Sequence, residues 1–377
     1  MANKTIKNYI QMKTNGFPEI KEVMSVPHYR PAVSVILPIK PKIGMDAETH
    51  KDIKFATDKV ERLLKDQYSE EITETIIKKI NTLISETTFP AGKKGLALYA
   101  SPLFANIYFL DTDVPERIVI DESFEIRDLL FNRKEEKHFL LFVLSGEHCK
   151  LFMHTGRQLM PVKLESPNSV DAYWNDETER VSNFTDPVVF KTNQVEKFIR
   201  QMDKELVQTL RVHDLPVFLM GSKTILGMYK SMTHVTSHIQ GIVEGNFEES
   251  TITELMEALQ PVYDQWKRQQ QQGLLSQIEN AAGQKKLSVG IQDVWKTAYD
   301  KKGRLLVVER NYVAAGEHVA AGKIVYKPTV AQNDFHSSND VVDDVIEMVL
   351  QNGGDVAFTE DGFLSGYDHI ALIQYYS

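Results

Sequence analysis

A single cysteine, Cys149, stands in a chain of 377 residues. No internal disulfide is possible, and a reducing, cytoplasmic compartment is the expectation. Long apolar runs are also missing. Nothing approaches the roughly 20 apolar residues that cross a bilayer. The opening MANKTIKNYIQMKTN has lysines without the apolar stretch of a signal peptide. No membrane partner is therefore expected. Positive charge is scarce, since 43 Lys and Arg face 52 Asp and Glu for a net charge of -9. This argues against a chain-wide affinity for DNA and leaves local patches as the way to meet RNA. Cofactor signatures are missing too. MGSKT (220–224) lacks the spacing of a phosphate loop, so Ser222 reads as a helix N-cap. Gly353-Gly354 is too short for a dinucleotide fingerprint. No cofactor is expected.

What is present is the composition of a globular protein, 42% hydrophobic and 25% charged. The length exceeds one ordinary core, so two or three domains are expected. The fold class is α/β in a multi-domain α+β chain. In segment 1–136, VSVILPI (33–39) reads as a buried strand. Two helical stripes follow, through Ile53, Ala56, Val60 and Leu64 and then through Ile72, Ile76, Ile80 and Ile84. GLALYAS, NIYFLD and ERIVID are three short strands. In segment 137–268, HFLLFVLS, CKLFMHT and QLMPVKL form a meander with turns at Gly146 and Gly156. A helix over 192–210, the strand PVFLMG and two further helices complete it. In segment 269–377, a helix runs to Ala282, and SVGIQDVWKTAYDKKG carries a second helical stripe. RLLVVERN and KIVYKP are strands with AGEHVAAG as the loop between them. DVVDDVIEMVLQNGG is a helix with Asn339 or Asp340 as N-cap and Gly353 at its C-cap, and two closing strands follow. RQQQQG (268–273) is expected as an exposed helix or a hinge.

Three stretches in this order carry a family signature: GLALYASPLFANIYFLDTDVPERIVIDESFEIRDLL (95–130), HFLLFVLSGEHCKLFMHTG (138–156) and DVVDDVIEMVLQNGGDVAFTEDGFLSGYDHIALIQYY (340–376). They resemble the bacterial branch of the archaeo-eukaryotic release factor family, relatives of the eukaryotic class-I release factor and Pelota. The resemblance implies three domains. These are an N-terminal α/β domain (1–136), a ribonuclease-H-like middle domain (137–268) and a C-terminal α/β/α sandwich (269–377) similar to kink-turn-binding ribosomal proteins. It also implies the ribosome or tRNA, and a translational GTPase, as partners.

The family's catalytic Gly-Gly-Gln loop lies between the middle domain's meander and its long helix, here 165–191. No glycine occurs between Gly156 and Gly221. A loop that inserts a glutamine needs glycine's positive φ and close backbone approach. The interval is acidic as well, with Glu165, Asp171, Asp176, Glu177 and Glu179. The near match Ala281-Ala282-Gly283-Gln284 sits elsewhere and reads as a helix end, with Gly283 as the C′ glycine.

Other candidates are thinner. A nuclease of this fold needs an acid on the first strand, and HFLLFVLS has none. His234 and His238 have the i, i+4 spacing of zinc ligands, but Gly241 and Gly245 argue against a helix there, and no metal is expected. Cys149 and His148 point to opposite faces of a strand and make no nucleophile–base pair. Tyr173 and Trp174 either cap an apolar edge or serve as a partner contact. Lys285, Lys286, Lys301, Lys302 and Arg304 are candidates for RNA phosphates. The expectation is a non-catalytic, ribosome-associated factor acting in hibernation, rescue or quality control. A protein-binding module outside translation is the alternative, and a hydrolase with an unrecognised site ranks behind both.

Overall fold

The computed structural model describes residues 17–26, 31–39, 47–135, 138–156, 158–173, 187–314, 316–320, 323–326 and 340–376. In chain order these form α1 (Pro18–Met24), β1 (Ala32–Pro38), α2 (Ala47–Gln67), α3 (Glu70–Glu86), β2 (Gly95–Ala100), β3 (Ala105–Leu110), β4 (Arg117–Asp121) and α4 (Arg127–Glu135). Then come β5 (Phe139–Leu144), β6 (Cys149–Thr155), β7 (Gln158–Pro161), a 3₁₀ turn (Val170–Tyr173), α5 (Pro187–Val212), β8 (Val217–Gly221), α6 (Lys223–Met232) and β9 (Ile239–Glu244). The long helix α7 (Ile252–Gly283) is followed by β10 (Leu287–Val289), α8 (Gly290–Tyr299), β11 (Gly303–Glu309), β12 (Gly316–Ala320), β13 (Lys323–Tyr326), α9 (Val341–Gln351), β14 (Asp355–Thr359) and β15 (Ile370–Gln374). AGEHVAAG, expected as a loop, is largely strand, because β12 pairs antiparallel with β13. RQQQQG lies inside the continuous helix α7. Glutamine is a good helix former, and a polar run on an exposed helix needs no break.

Two compact units result. One takes 136–274. Its sheet has the order β7-β6-β5-β8-β9. The meander β5–β6–β7 is antiparallel, and β8 and β9 continue it in parallel with β5. Strand β5 is buried at every residue. Its alternating side chains serve two cores: Leu140, Phe142 and Leu144 pack with Phe198, Met202 and Leu206 of α5. Phe139, Leu141 and Val143 pack with Leu255, Leu259 and Tyr263 of α7. This is the period-two rule applied to a sheet covered on both faces.

The other unit joins 11–135 with 275–377. Its first sheet, β3-β2-β1-β4, is antiparallel throughout. Val33, Val35 and Leu37 of β1 face α2 and α3, meeting Val60, Leu64, Ile76 and Ile80. Ala32 and Ile36, on the opposite face, join a core that includes Trp295 and Val294 of α8, Val345 and Ile346 of α9, and Leu372 of β15. The first and last segments of the sequence therefore share one hydrophobic core. The second sheet has the order β10-β15-β11-β14, with only β11 and β14 parallel among its described pairs.

Charge fixes the same junction. Arg127, 2% exposed, donates to the Tyr312 carbonyl at 2.8 Å and pairs with Asp340 at 2.6 Å. The carboxylate of Asp343 accepts the backbone N–H groups of Ile126 and Arg127 at 3.1 and 2.8 Å, so an acid of α9 satisfies the start of α4. Arg117 lies 3.4 Å from Asp128, and Lys134 reaches Asp355 at 2.6 Å. Asp340 is also the N-cap of α9, its side chain accepting from Val342 N–H.

Candidate nucleic-acid contact edge

The five cations singled out in the sequence meet at one end of the second sheet. The reason lies in how two helices stop. At the end of α7, Lys286 N–H bonds the Ala281 carbonyl at 2.8 Å and Lys285 N–H bonds that of Ala282 at 3.0 Å. At the end of α8, Lys302 N–H bonds Thr297 at 3.1 Å and Lys301 N–H bonds Ala298 at 3.0 Å. Both are Schellman motifs, and each places a lysine at the left-handed C′ position, with φ of 56° at Lys285 and 58° at Lys301. Gly283 was the glycine expected at C′. It is instead the last residue of the helix, and the turn closes two residues later. The tetrapeptide is still a helix end, but the strained position is a lysine's.

Strand β15 then ties the two ends together. Gln374 N–H donates to the Lys286 carbonyl at 2.9 Å, and Tyr375 N–H donates to the Lys302 carbonyl at 3.0 Å. Successive amides of a strand point to opposite sides, so the two lysine pairs flank one strand end, roughly two strand spacings or 10 Å apart. Arg304 lies beside them on β11, part-exposed, near Gly303, which pairs with Gln374. Lys285 and Lys301 are exposed, and none of the five cations is ion-paired among the described residues. One acid, Asp300, interrupts the run, and it is exposed.

Three tyrosines complete the edge. Tyr299 closes α8 at 48% exposure, and Tyr375 and Tyr376 follow β15 at 46% and 56%. The Tyr375 hydroxyl donates to the Gly353 carbonyl at 3.0 Å, which pins its ring at the end of a third helix, α9. That end is also a Schellman motif, with Gly353 at φ 79°. Sequence reasoning missed these tyrosines. Two of them ended an apolar strand and one ended an apolar helix stripe, so each looked like core. Large aromatic rings held in water beside unpaired lysines are the combination that binds nucleic acid, phosphates meeting the cations and bases stacking on the rings.

The remaining candidates fall elsewhere. Tyr173 belongs to the other unit, where its ring packs on Phe198 at 5.8 Å and its hydroxyl donates to the Pro167 carbonyl. It caps an apolar core. Trp174 lies outside the described residues, as does the stretch 174–186 of the acidic interval 165–191. His234 and His238 lie beyond the end of α6, and the second ring's Nε2 is 3.1 Å from Asp214. Cys149 is buried, and burial pushes its thiol well up. Ser222 caps α6 by accepting from Ile225 N–H. Among the described residues, no helix is long and apolar enough to cross a membrane.

No curated protein matches the chain. Among solved structures, an archaeal translation termination factor, aRF1, is 12% identical over 95% of this chain and 96% of its own, with a TM-score of 0.24. S. cerevisiae Dom34, a translation termination-like factor, is 13% identical over 74% and 81%, with a TM-score of 0.39. Archaeoglobus fulgidus Pelota is 10% identical over 75% and 80%, with a TM-score of 0.35. Scores this low establish no shared fold. The sequence match is specific: residues 138–302 fit the model of bacterial archaeo-eukaryotic release factor family 3. That stretch covers the middle unit's sheet and helices, the whole of α7, and both lysine-ended turns up to Lys302, so this part of the chain, less than half of its length, is similar to the bacterial branch of the archaeo-eukaryotic release factor family.

Proposed function

We propose that this protein is a ribosome-associated factor of the release-factor type that does not cleave the peptidyl-tRNA ester. It acts in hibernation, rescue or translation quality control. The observation that carries this reading is the edge at the end of β15, where two lysine pairs, Arg304 and three exposed tyrosines are gathered by backbone pairing in a protein of net charge -9. The match of residues 138–302 to a release-factor family model supports translation as the setting. The absence of any glycine from 157 to 220 supports the loss of the glutamine loop. The mixed order β7-β6-β5-β8-β9 supports a ribonuclease-H-like identity for the middle region. The second sheet with α8 and α9 supports a ribosomal-protein-like identity for the last one. On this reading the edge meets ribosomal RNA or tRNA, and a translational GTPase is a further partner.

The test is co-sedimentation of the purified protein with bacterial ribosomes through a sucrose cushion at low and moderate salt. Binding that survives moderate salt and is lost in Lys285→Glu/Lys286→Glu supports the reading. Failure to sediment at either salt, with stationary-phase ribosomes included, overturns it and leaves a protein-binding module outside translation.

A further inference from the structure

The middle unit carries a second cluster that the release-factor reading does not use. Glu147 and His148 stand in the turn between β5 and β6, and Glu248 stands just after β9. Strands β5, β8 and β9 are parallel, so both segments lie at the carboxyl end of the parallel part of the sheet. Open α/β sheets place ligand sites at that end. One donor atom from each of the three side chains lies within 4.8 Å of the other two.

The spacing is informative. His148 Nε2 and Glu248 Oε1 are 3.9 Å apart, too far for a hydrogen bond. Two ligands about 2.1 Å from one tetrahedral ion lie roughly 3.4 Å from each other. Small side-chain rotations therefore bring all three onto one cation. The backbone beneath them is already held. Ser145 Oγ accepts the N–H groups of Glu147 and His148 at 3.1 and 2.8 Å, and Val170 N–H bonds the Glu147 carbonyl at 2.8 Å. The Lys150 ammonium donates to the Glu248 carbonyl, so it braces that residue's backbone. The side-chain tips of Glu147 and His148 remain exposed, and Glu248 is part-buried.

We propose that Glu147, His148 and Glu248 form a binding site for one divalent transition-metal cation, with zinc as the representative ion. Two carboxylates and one imidazole give a mixed N,O,O donor set. Magnesium and calcium prefer oxygen ligands alone and six or more of them, whereas an imidazole suits zinc, nickel and copper. Two negative charges held close together gain from a cation placed between them. Three protein ligands leave the remaining positions to water. The neighbouring Cys149 takes no part, because its thiol is buried in the core on the other face of β6.

The experiment is a zinc titration of the full-length, chelator-stripped protein against a chromophoric competitor, with cobalt absorption as a second readout. The expected result is one saturable site per chain. His148→Ala and Glu248→Gln are each expected to weaken it at least about tenfold, the scale on which even outer-shell losses act. His238→Ala, whose ring faces Asp214, is expected to change nothing. Circular dichroism and melting curves of the variants check that these exposed substitutions leave the fold intact. Equal zinc affinity in wild type and His148→Ala overturns the proposal, since the ion is then held by others of the 11 histidines. So does the absence of any site tighter than about 0.1 mM, the range of weak surface association.

Discussion

The unit built from the two ends of the chain uses charge in two opposite ways. At its buried junction, Arg127 is enclosed with Asp340 and Asp343, its guanidinium pairing with Asp340 and the Asp343 carboxylate accepting two backbone N–H groups. At its exposed edge, five cations stand with no acid paired to them among the described residues. Burial makes the first arrangement structural, because a desolvated charge without its partner is very costly. Exposure makes the second nearly neutral for folding, because a solvated lysine costs little and gains little. Mutations at the two places should therefore separate stability from binding.

The largest effect belongs to the junction. Arg127→Met leaves Asp340 and Asp343 buried without their cation and is expected to destabilise the protein by about 3–5 kcal/mol. Denaturant unfolding measures this, and ribosome or RNA binding at low temperature should persist in whatever fraction stays folded. A loss below about 1 kcal/mol would mean that the junction is a passive contact. The counterpart at the edge is Lys285→Glu/Lys286→Glu. It is expected to leave the melting temperature within a degree or two and to lower RNA affinity by on the order of tenfold or more, with a shallower salt dependence. If the salt slope is unchanged, the edge does not meet phosphates.

The junction also carries more acid than base. Burial pushes the carboxyl of Asp344 up to about 8, and Asp343, Asp121, Asp340 and Glu347 around it push in the same direction. Asp343 is pushed up to about 7, again chiefly by burial. Such a group holds its proton in the folded state while the unfolded chain, with carboxylates near 4, has lost it. The folded state binds more protons across that window, so stability falls as pH rises from about 4 toward 8. Asp344→Asn should flatten the decline, raising the melting temperature most near pH 8 and leaving it nearly unchanged only below about pH 4. A gain of the same size at about pH 8 and below about pH 4 would point to packing rather than ionisation.

The sequence shows why one half of this comparison was legible and the other was not. Most strands and helices follow from apolar periodicity, though β9 and β10 were not read, and Asp340, one of two candidate N-caps, and Gly353 have the usual cap residue types. The lysine pairs were visible because they are adjacent in sequence. The tyrosines were not, since Tyr375 reaches the second lysine pair only through the bond of its N–H to the Lys302 carbonyl. The junction was hidden for the same reason: Arg127 and Asp340 are far apart in the chain, and an N-cap aspartate gives no sign of a second partner. The pairing of β12 with β13 was missed because a glycine- and alanine-rich run has little strand propensity of its own.

The smallest expected effect is the most discriminating. Three helix ends in this unit close in the same Schellman turn, yet two place lysine at C′ and one places glycine. A left-handed conformation costs a residue with a side chain about 1–2 kcal/mol. A cation at a helix C-terminus recovers about 0.3–1 kcal/mol, and glycine pays its own entropy in the unfolded chain. Lys301→Gly should therefore stabilise by only about 0.5 kcal/mol while weakening RNA binding. Gly353→Lys should destabilise by about 1 kcal/mol, since nothing within 4 Å of the added Cβ obstructs it and only the backbone strain is felt. If both changes follow these signs, the lysine turns retain charge at the cost of stability, as a binding edge requires. If Lys301→Gly stabilises without any loss of binding, the lysine there is an accident of sequence, and the contact must rest on Lys285, Lys286 and the tyrosines.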